Sequence, residues 1–106
     1  MEYSVREEGG VVIAAFQGEV DLEHSPKARE VLLDCVARGQ KVLVDLSGVE
    51  YIDSSGVASL VEAFQKAKKN GTGFALVSVN APALRVLQLA RLDKVFVIHE
   101  NLADGL

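Results

Sequence analysis

Apolar residues alternate along the chain between short continuous runs and stripes of wider spacing. Four runs have the length and β-branched character of buried strands, namely residues 11–16, 42–46, 74–79 and 95–98. Residues 2–8 precede the pair Gly9 and Gly10, and a glycine pair favours a tight hairpin turn. We therefore predict five strands, with the first paired to the second at the edge of the sheet.

The first stripe predicts a helix with Ser25 as its N-cap, Pro26 at the first helical position, Arg38 near its end and Gly39 as its stop signal. Its apolar positions are Ala28, Val31, Leu32, Cys35 and Val36. A cysteine on such a stripe is expected to be a small buried side chain rather than a reactive thiol.

Two further stripes predict two more helices. The second helix follows the segment Asp53-Ser-Ser-Gly56, ends near Asn70 and Gly71, and carries the apolar positions Val57, Leu60, Val61, Phe64 and Ala67. The third helix has Asn80 as its cap and Pro82 in its first turn, with Leu84, Leu87 and Leu92 as core candidates. Residues 101–106 favour the start of a short final helix.

The predicted order, β-β-α-β-α-β-α-β, places the chain in the α/β class. Repeated β-α-β crossovers imply parallel strands, so we expect a mostly parallel central sheet of four or five strands with three or four helices. The 106 residues match the size of one domain, and we predict a single domain over residues 1–106. Strands and helices account for nearly every large apolar side chain, which leaves few to line a deep ligand cavity.

Composition and charge restrict the classes of partner and site that we expect. The net charge is −4, and the largest basic cluster is the trio Lys66, Lys68 and Lys69, so nucleic acid is not expected as a partner. A single cysteine forms no internal disulfide, which fits a reducing compartment. The two histidines, His24 and His99, have no flanking cysteine or histidine ligands, and we expect no metal site.

The N-terminal residues lack the apolar core of a signal peptide. The longest uninterrupted apolar run, residues 11–16, is too short to cross a bilayer. We therefore expect a cytoplasmic protein with no direct membrane insertion.

Enzyme motifs are absent from the sequence: it contains no dinucleotide-binding or P-loop glycine pattern and no Gly-x-Ser-x-Gly elbow. A small hydrolase or transferase with Ser54 or Ser55 as nucleophile stays open as an alternative. It requires His24, His99 or Lys27 within hydrogen-bond reach of a serine hydroxyl. Without that contact we expect no enzymatic activity.

The segment Asp53-Ser54-Ser55-Gly56 is the strongest candidate for function. An acidic residue or serine at this place is explained by capping of the first helical turn, and Asp21 and Asp53 are both expected to act as polar caps or loop residues. Capping does not explain two serines followed by Gly56. A glycine near a helix start costs about 0.5–1 kcal/mol relative to alanine, and we expect its missing side chain to open the backbone and hydroxyls to a partner.

A serine at a helix N-terminus is a favourable place for a phosphate. Free N–H groups and the positive end of the helix dipole stabilise an anion there. A phosphoserine beside Asp53 makes the local charge strongly negative, and a partner shaped for a neutral hydroxyl then binds less well.

These residues carry a family resemblance: the chain resembles the STAS domains of bacterial anti-sigma-factor antagonists over essentially its whole length. The markers are Gly18-Glu-Val-Asp21, Val44-Asp-Leu46, Tyr51-Ile-Asp-Ser-Ser-Gly-Val57 and Leu92-Asp-Lys-Val-Phe-Val-Ile98, of which the Asp-Ser-Ser-Gly tetrad is the most specific. The resemblance implies a STAS-like fold and a protein that is a substrate and ligand rather than a catalyst.

The resemblance implies a mechanism with two protein partners. A serine kinase that is also an anti-sigma factor phosphorylates the second serine, here Ser55, with Ser54 as the fallback acceptor. The unphosphorylated form binds this kinase and frees a sigma factor, and a PP2C-type phosphatase resets the switch. ATP and Mg²⁺ belong to the kinase, so no tightly held cofactor is expected.

The residues expected to contact the partner lie before and along the second helix. They are Asp21, Asp53, Ser54, Ser55, Gly56, Ala58, Ser59 and Glu62. The helix buries its apolar stripe, so Ser55, Ala58, Ser59, Glu62 and Lys66 are expected on its outer face.

One alternative keeps the same fold. A stand-alone STAS subunit of a membrane ABC transporter for lipids would dock the same helix face on an ATPase subunit, with or without phosphorylation.

Overall fold

The computed structural model describes residues 1–106 as five strands, four α-helices and one 3₁₀ turn. The strands are β1 (Glu2–Glu8), β2 (Val11–Val20), β3 (Lys41–Ile52), β4 (Phe74–Val77) and β5 (Val97–His99). The helices are α1 (Ser25–Ala37), α2 (Ser54–Asn70), α3 (Ala81–Leu89) and α4 (Leu102–Gly105), and the 3₁₀ turn spans Leu92–Lys94. The predicted element order and α/β class are confirmed, including the short helix near the C-terminus. None of these helices is both long and apolar enough to span a membrane.

The sheet has the strand order β1-β2-β3-β4-β5. β1 runs antiparallel to β2, and the other three pairings are parallel. The hairpin turn is made by Gly9 and Gly10, whose φ angles of 57° and 79° lie in the left-handed region that glycine adopts without strain. The predicted edge hairpin and mostly parallel sheet are therefore correct.

Two apolar clusters lie on opposite faces of the sheet. The larger one contains 23 buried residues, and α1, α2 and α3 all contribute to it. The smaller one consists of Ile13, Leu43, Ala75 and Val77, with Leu102 of α4 packed against it. Successive residues of a strand point to opposite faces, which explains why β2, β3 and β4 are apolar at consecutive positions. Cys35 is buried in the larger cluster, as predicted.

β3 is longer than the sequence predicts, and this extension places the tetrad. The sequence predicts a strand over residues 42–46 only, but residues 47–52 continue it beside the second half of β2. Two register shifts, between Ala15 and Gln17 and between Gly18 and Glu19, accommodate the irregular pairing. Val49 and Ile52 are buried along this extension. Because β2 and β3 are parallel, both strands end at the same edge of the sheet.

The ends of other elements also differ from the predictions. α1 begins at Ser25, and its N-cap is His24 rather than Ser25, because the main-chain oxygen of Asp21 already accepts the N–H of Ser25. β4 stops at Val77, since Ser78 turns with a φ of 52°. β5 starts at Val97 rather than at residue 95.

The start of α2 packs directly against the end of β2. A Cβ atom on Gly56 would lie 2.5 Å from the main-chain oxygen of Val20 and 2.7 Å from Cγ1 of Ile52. Gly56 is buried, so the expectation that its missing side chain opens the helix to a partner is wrong. The missing side chain instead allows the helix to approach the sheet.

Gly56→Ala is therefore expected to destabilise the fold by about 1–3 kcal/mol, the usual cost of overpacking, although glycine to alanine inside a helix ordinarily stabilises by about 0.5–1 kcal/mol. Urea denaturation measures the free energy of unfolding. Gly73→Ala is the control, because the nearest atoms to a Cβ there are methylene carbons of Lys41, at 3.1 Å or more, rather than a main-chain oxygen at 2.5 Å. A free energy of unfolding for Gly56→Ala that equals or exceeds that of the wild type would contradict the packing argument.

Candidate functional site

The tetrad occupies the junction between β3 and α2. Asp53 has an extended backbone, with φ of −109° and ψ of −172°, and is the N-cap of the 17-residue helix α2. Its Oδ1 atom accepts the main-chain N–H of Ser55 at 2.9 Å and that of Gly56 at 3.2 Å. These are two of the N–H groups that a helix start leaves without an intrahelical partner, so the predicted capping role of Asp53 is confirmed.

The same carboxylate also holds two groups outside the usual cap. The Ser55 hydroxyl donates to Oδ1 of Asp53 at 2.5 Å. The main-chain N–H of Leu22, which lies between β2 and α1, donates to Oδ2 at 3.1 Å. One side chain therefore connects the candidate phosphoacceptor, the first turn of α2 and the segment after β2.

These donors change the acidity of Asp53. The Ser55 hydroxyl makes the largest contribution, and together with the main-chain N–H groups of Gly56, Ser55 and Leu22 it holds the pKa of Asp53 below its ordinary value, against the opposing effect of desolvation. Hydrogen bonds to an ionised carboxylate favour the charged form. Asp53 is therefore an anion at neutral pH, directly beside the hydroxyl of Ser55.

Asp21 organises the segment between β2 and α1. Its Oδ1 atom lies 3.1 Å from the main-chain nitrogen of His24 and 2.7 Å from Nδ1 of the His24 ring. Desolvation raises the pKa of Asp21, but the hydrogen bonds and charge of His24 outweigh it and lower that pKa. Asp21 thus stabilises the turn that carries Leu22, while Asp53 binds the same turn from the other side.

An open groove of about 400 Å³ runs between α1 and α2 beside the Ser55 hydroxyl. It is lined by Ser25, Pro26, Arg29, Ser55, Ala58, Ser59 and Glu62. An ion pair between Arg29 and Glu62 bridges the two helices, with Nη2 of Arg29 at 3.2 Å from Oε1 of Glu62. The carboxylate of Glu62 is therefore already paired with the Arg29 guanidinium when a partner approaches.

Ser59 lies inside this groove rather than on the outer face of α2, so that expectation is wrong. It is only 6% exposed, and its hydroxyl lies within hydrogen-bond distance of two main-chain oxygens, that of Ser25 at 3.3 Å and that of Ser55 at 3.2 Å. Ser59 therefore joins the first turns of α1 and α2.

The remaining predicted contacts are accessible. Ser54, Ala58 and Glu62 are exposed, while Asp53 and Ser55 are half-buried. The structure therefore places the predicted residues of α2 along its N-terminal half, beside the turn that follows Asp21, with Gly56 and Ser59 in internal rather than surface positions.

The bases required by the hydrolase alternative are placed elsewhere. His24 contacts Asp21, Lys27 pairs with Glu30 at 3.6 Å, and His99 lies on β5 at the far edge of the sheet. The Ser55 hydroxyl donates to a carboxylate that already holds three N–H groups. The serine–base pair that a nucleophilic mechanism needs is not formed.

Asp21, Glu23 and His24 are the residues that can approach a cation together, since their ligand atoms lie within 4.8 Å of one another. Cysteine and histidine spacing gives no signal for this cluster, because two of its three members are carboxylates. Leu22 and Arg29 were not predicted as site residues either. Their roles depend on partners 31 and 33 positions away, and local pattern carries no signal for such contacts.

Asp53→Ala is expected to lower the free energy of unfolding by about 1 kcal/mol at neutral pH, since it removes a helix cap and the bond to Leu22. Because the folded pKa of Asp53 is lowered, its ionised form stabilises the protein above the pKa of an unfolded aspartate, and this contribution disappears as the pH falls through the folded value. The difference between wild type and variant should therefore shrink in acid. Urea titrations at several pH values, with the exposed Asp34→Ala as control, test this; a difference independent of pH would contradict it.

Comparison with known proteins agrees with the fold. Residues 2–105 match the family model of the STAS domain. The chain is 27% identical over 99 residues to the anti-sigma F factor antagonist of Paenibacillus polymyxa, covering 92% of this chain and 85% of the relative. It is 27% identical over 88 residues to the anti-sigma-B factor antagonist of Bacillus subtilis, covering 83% and 81%.

Solved structures show the same likeness. The crystal structure of an anti-sigma factor antagonist from Mycobacterium paratuberculosis superimposes with a TM-score of 0.88 at 31% identity, covering 98% of this chain and 89% of that one. The family match extends over nearly the whole chain, from β1 to the end of α4. The chain therefore belongs to the STAS domain family.

Proposed function

We propose that this protein is an anti-sigma-factor antagonist controlled by phosphorylation of Ser55. In its unphosphorylated form it binds a serine kinase that is also an anti-sigma factor, and a sigma factor is thereby released in the cytoplasm. A PP2C-type phosphatase removes the phosphate and restores binding. Two relatives support this proposal by their names, which are anti-sigma F factor antagonist and anti-sigma-B factor antagonist.

The observation that carries the proposal is the hydrogen bond from the Ser55 hydroxyl to Asp53. Ser55 is half-buried at the start of a helix and lines an open groove that a partner can enter. The exposed Ser54 has no such bond, and it is the fallback acceptor.

Phosphorylation changes this contact chemically. The Ser55 Oγ forms a bond to the γ-phosphorus of ATP, the bond from that phosphorus to the bridging oxygen of ADP breaks, and a base of the kinase takes up the Oγ proton. The ester oxygen no longer donates to Asp53, and a group of about −1.5 to −2 charge now stands beside an ionised carboxylate. The main-chain N–H groups of Ser55 and Gly56 already donate to Asp53, so the positive end of the α2 dipole, rather than free N–H groups, offsets part of the added charge. A partner fitted to a neutral hydroxyl is repelled.

Serine variants test the proposal with the purified serine kinase/anti-sigma factors encoded in the same genome. Ser55→Ala should keep kinase binding but accept no phosphoryl group, whereas Ser55→Asp should bind at least about tenfold more weakly, because like charges across an interface cost several kcal/mol. Ser54→Ala is the matched control and should bind and be phosphorylated like wild type. Mass spectrometry reports the modification, and calorimetry reports the affinity.

Two results would overturn the switch. One is equal affinity of wild type, Ser55→Ala and Ser55→Asp for the kinase. The other is the absence of any phosphorylation together with co-purification of a transporter ATPase subunit, which would favour the transporter alternative.

A further inference from the structure

Leu22 is an unusual feature of the surface next to Ser55. It is 76% exposed, and among the exposed large apolar residues only Leu89, at 78%, is comparable. A single exposed leucine needs no explanation in general. Leu22 differs because its own main-chain N–H is bound by the carboxylate that holds the Ser55 hydroxyl.

The turn that carries Leu22 is held on both sides. The main-chain oxygen of Asp21 accepts the N–H of His24 at 3.1 Å and that of Ser25 at 2.8 Å. Asp53 binds the N–H of Leu22 itself at 3.1 Å. A side chain displayed on such an ordered turn loses little conformational freedom when a partner buries it, so more of the apolar burial appears as affinity.

We propose that Leu22 is the apolar anchor of the surface that docks on the kinase/anti-sigma factor, and that it enters a hydrophobic recess beside the partner's binding site for Ser55. This inference rests on the proposed function and adds a residue to it. Asp53 fixes the distance between the two recognition elements, because it holds the hydroxyl through one oxygen and the Leu22 turn through the other.

The two elements have different physical roles. The Ser55 side chain sets the charge of the surface, and its effect on binding is screened by salt. Leu22 contributes apolar area, which removes water on docking and slows dissociation rather than speeding association. Hot spots of binding are typically apolar or aromatic side chains that enter a pocket near the centre of an interface.

The test compares Leu22→Ala with Leu89→Ala, two truncations of equally exposed leucines. The N-cap of α3, Asn80, donates to the main-chain oxygen of Ser47 in β3. Leu89 lies at the opposite end of α3 and therefore serves as the control. Surface plasmon resonance with the immobilised kinase/anti-sigma factor gives both rate constants, and circular dichroism confirms that both variants unfold at the temperature of the wild type.

Leu22→Ala is expected to weaken binding about tenfold, which is the effect of losing most of a buried leucine. The loss should lie in the dissociation rate and should be the same at low and high salt. Leu89→Ala should bind within twofold of wild type. Ser55→Asp, measured in parallel, should also bind more weakly, but its loss of affinity should be smaller at high salt than at low salt.

Each outcome decides the matter. If Leu22→Ala and Leu89→Ala bind the kinase/anti-sigma factor with equal affinity while Ser55→Asp binds more weakly, Leu22 is not an anchor and the phosphorylation switch stands. If wild type binds no kinase/anti-sigma factor at all, the proposed function fails and the anchor fails with it. A loss for Leu22→Ala that salt abolishes would also overturn the apolar role.

Discussion

The carboxylate of Asp53 is the interaction on which the rest of the site depends. It receives four hydrogen bonds, from the Ser55 hydroxyl and from the main-chain N–H groups of Leu22, Ser55 and Gly56. A helix cap needs only the bonds to the first turn. Of the other two, the bond from the Leu22 N–H joins segments that are 31 residues apart in the chain, and the bond from the Ser55 hydroxyl stays within the tetrad. The start of α2 and the turn before α1 therefore form one ordered surface.

The fold supplies the geometry that this carboxylate requires. The parallel strands β2 and β3 end at one edge of the sheet, so the segments that follow them are neighbours. Gly56 lets α2 come close to Val20, and Ser59 joins the first turns of the two helices. Solved structures of anti-sigma factor antagonists have the same fold, and function depends on the residues placed at that edge.

The local sequence pattern predicted which strands and helices form and in what order. The hairpin at Gly9 and Gly10, the stripe of α1 and the cap at Asp53 all depend on neighbouring residues, which the sequence shows directly. The second half of β3 escaped prediction because its pairing comes from β2, about 30 positions earlier. The burial of Ser59 and the bond to Leu22 likewise arise from tertiary contacts. The tetrad was recognisable, whereas the internal role of Gly56 was not.

The most direct measurement is the pKa of the Asp53 carboxyl by carbon-detected NMR, in wild type and in Ser55→Ala. The Ser55 hydroxyl is the largest influence that lowers this pKa, so its removal should raise the value, while the carboxyl of Asp21 should titrate as before. An unchanged Asp53 pKa in Ser55→Ala would mean that the hydroxyl and the carboxylate do not interact, and the central claim would be contradicted.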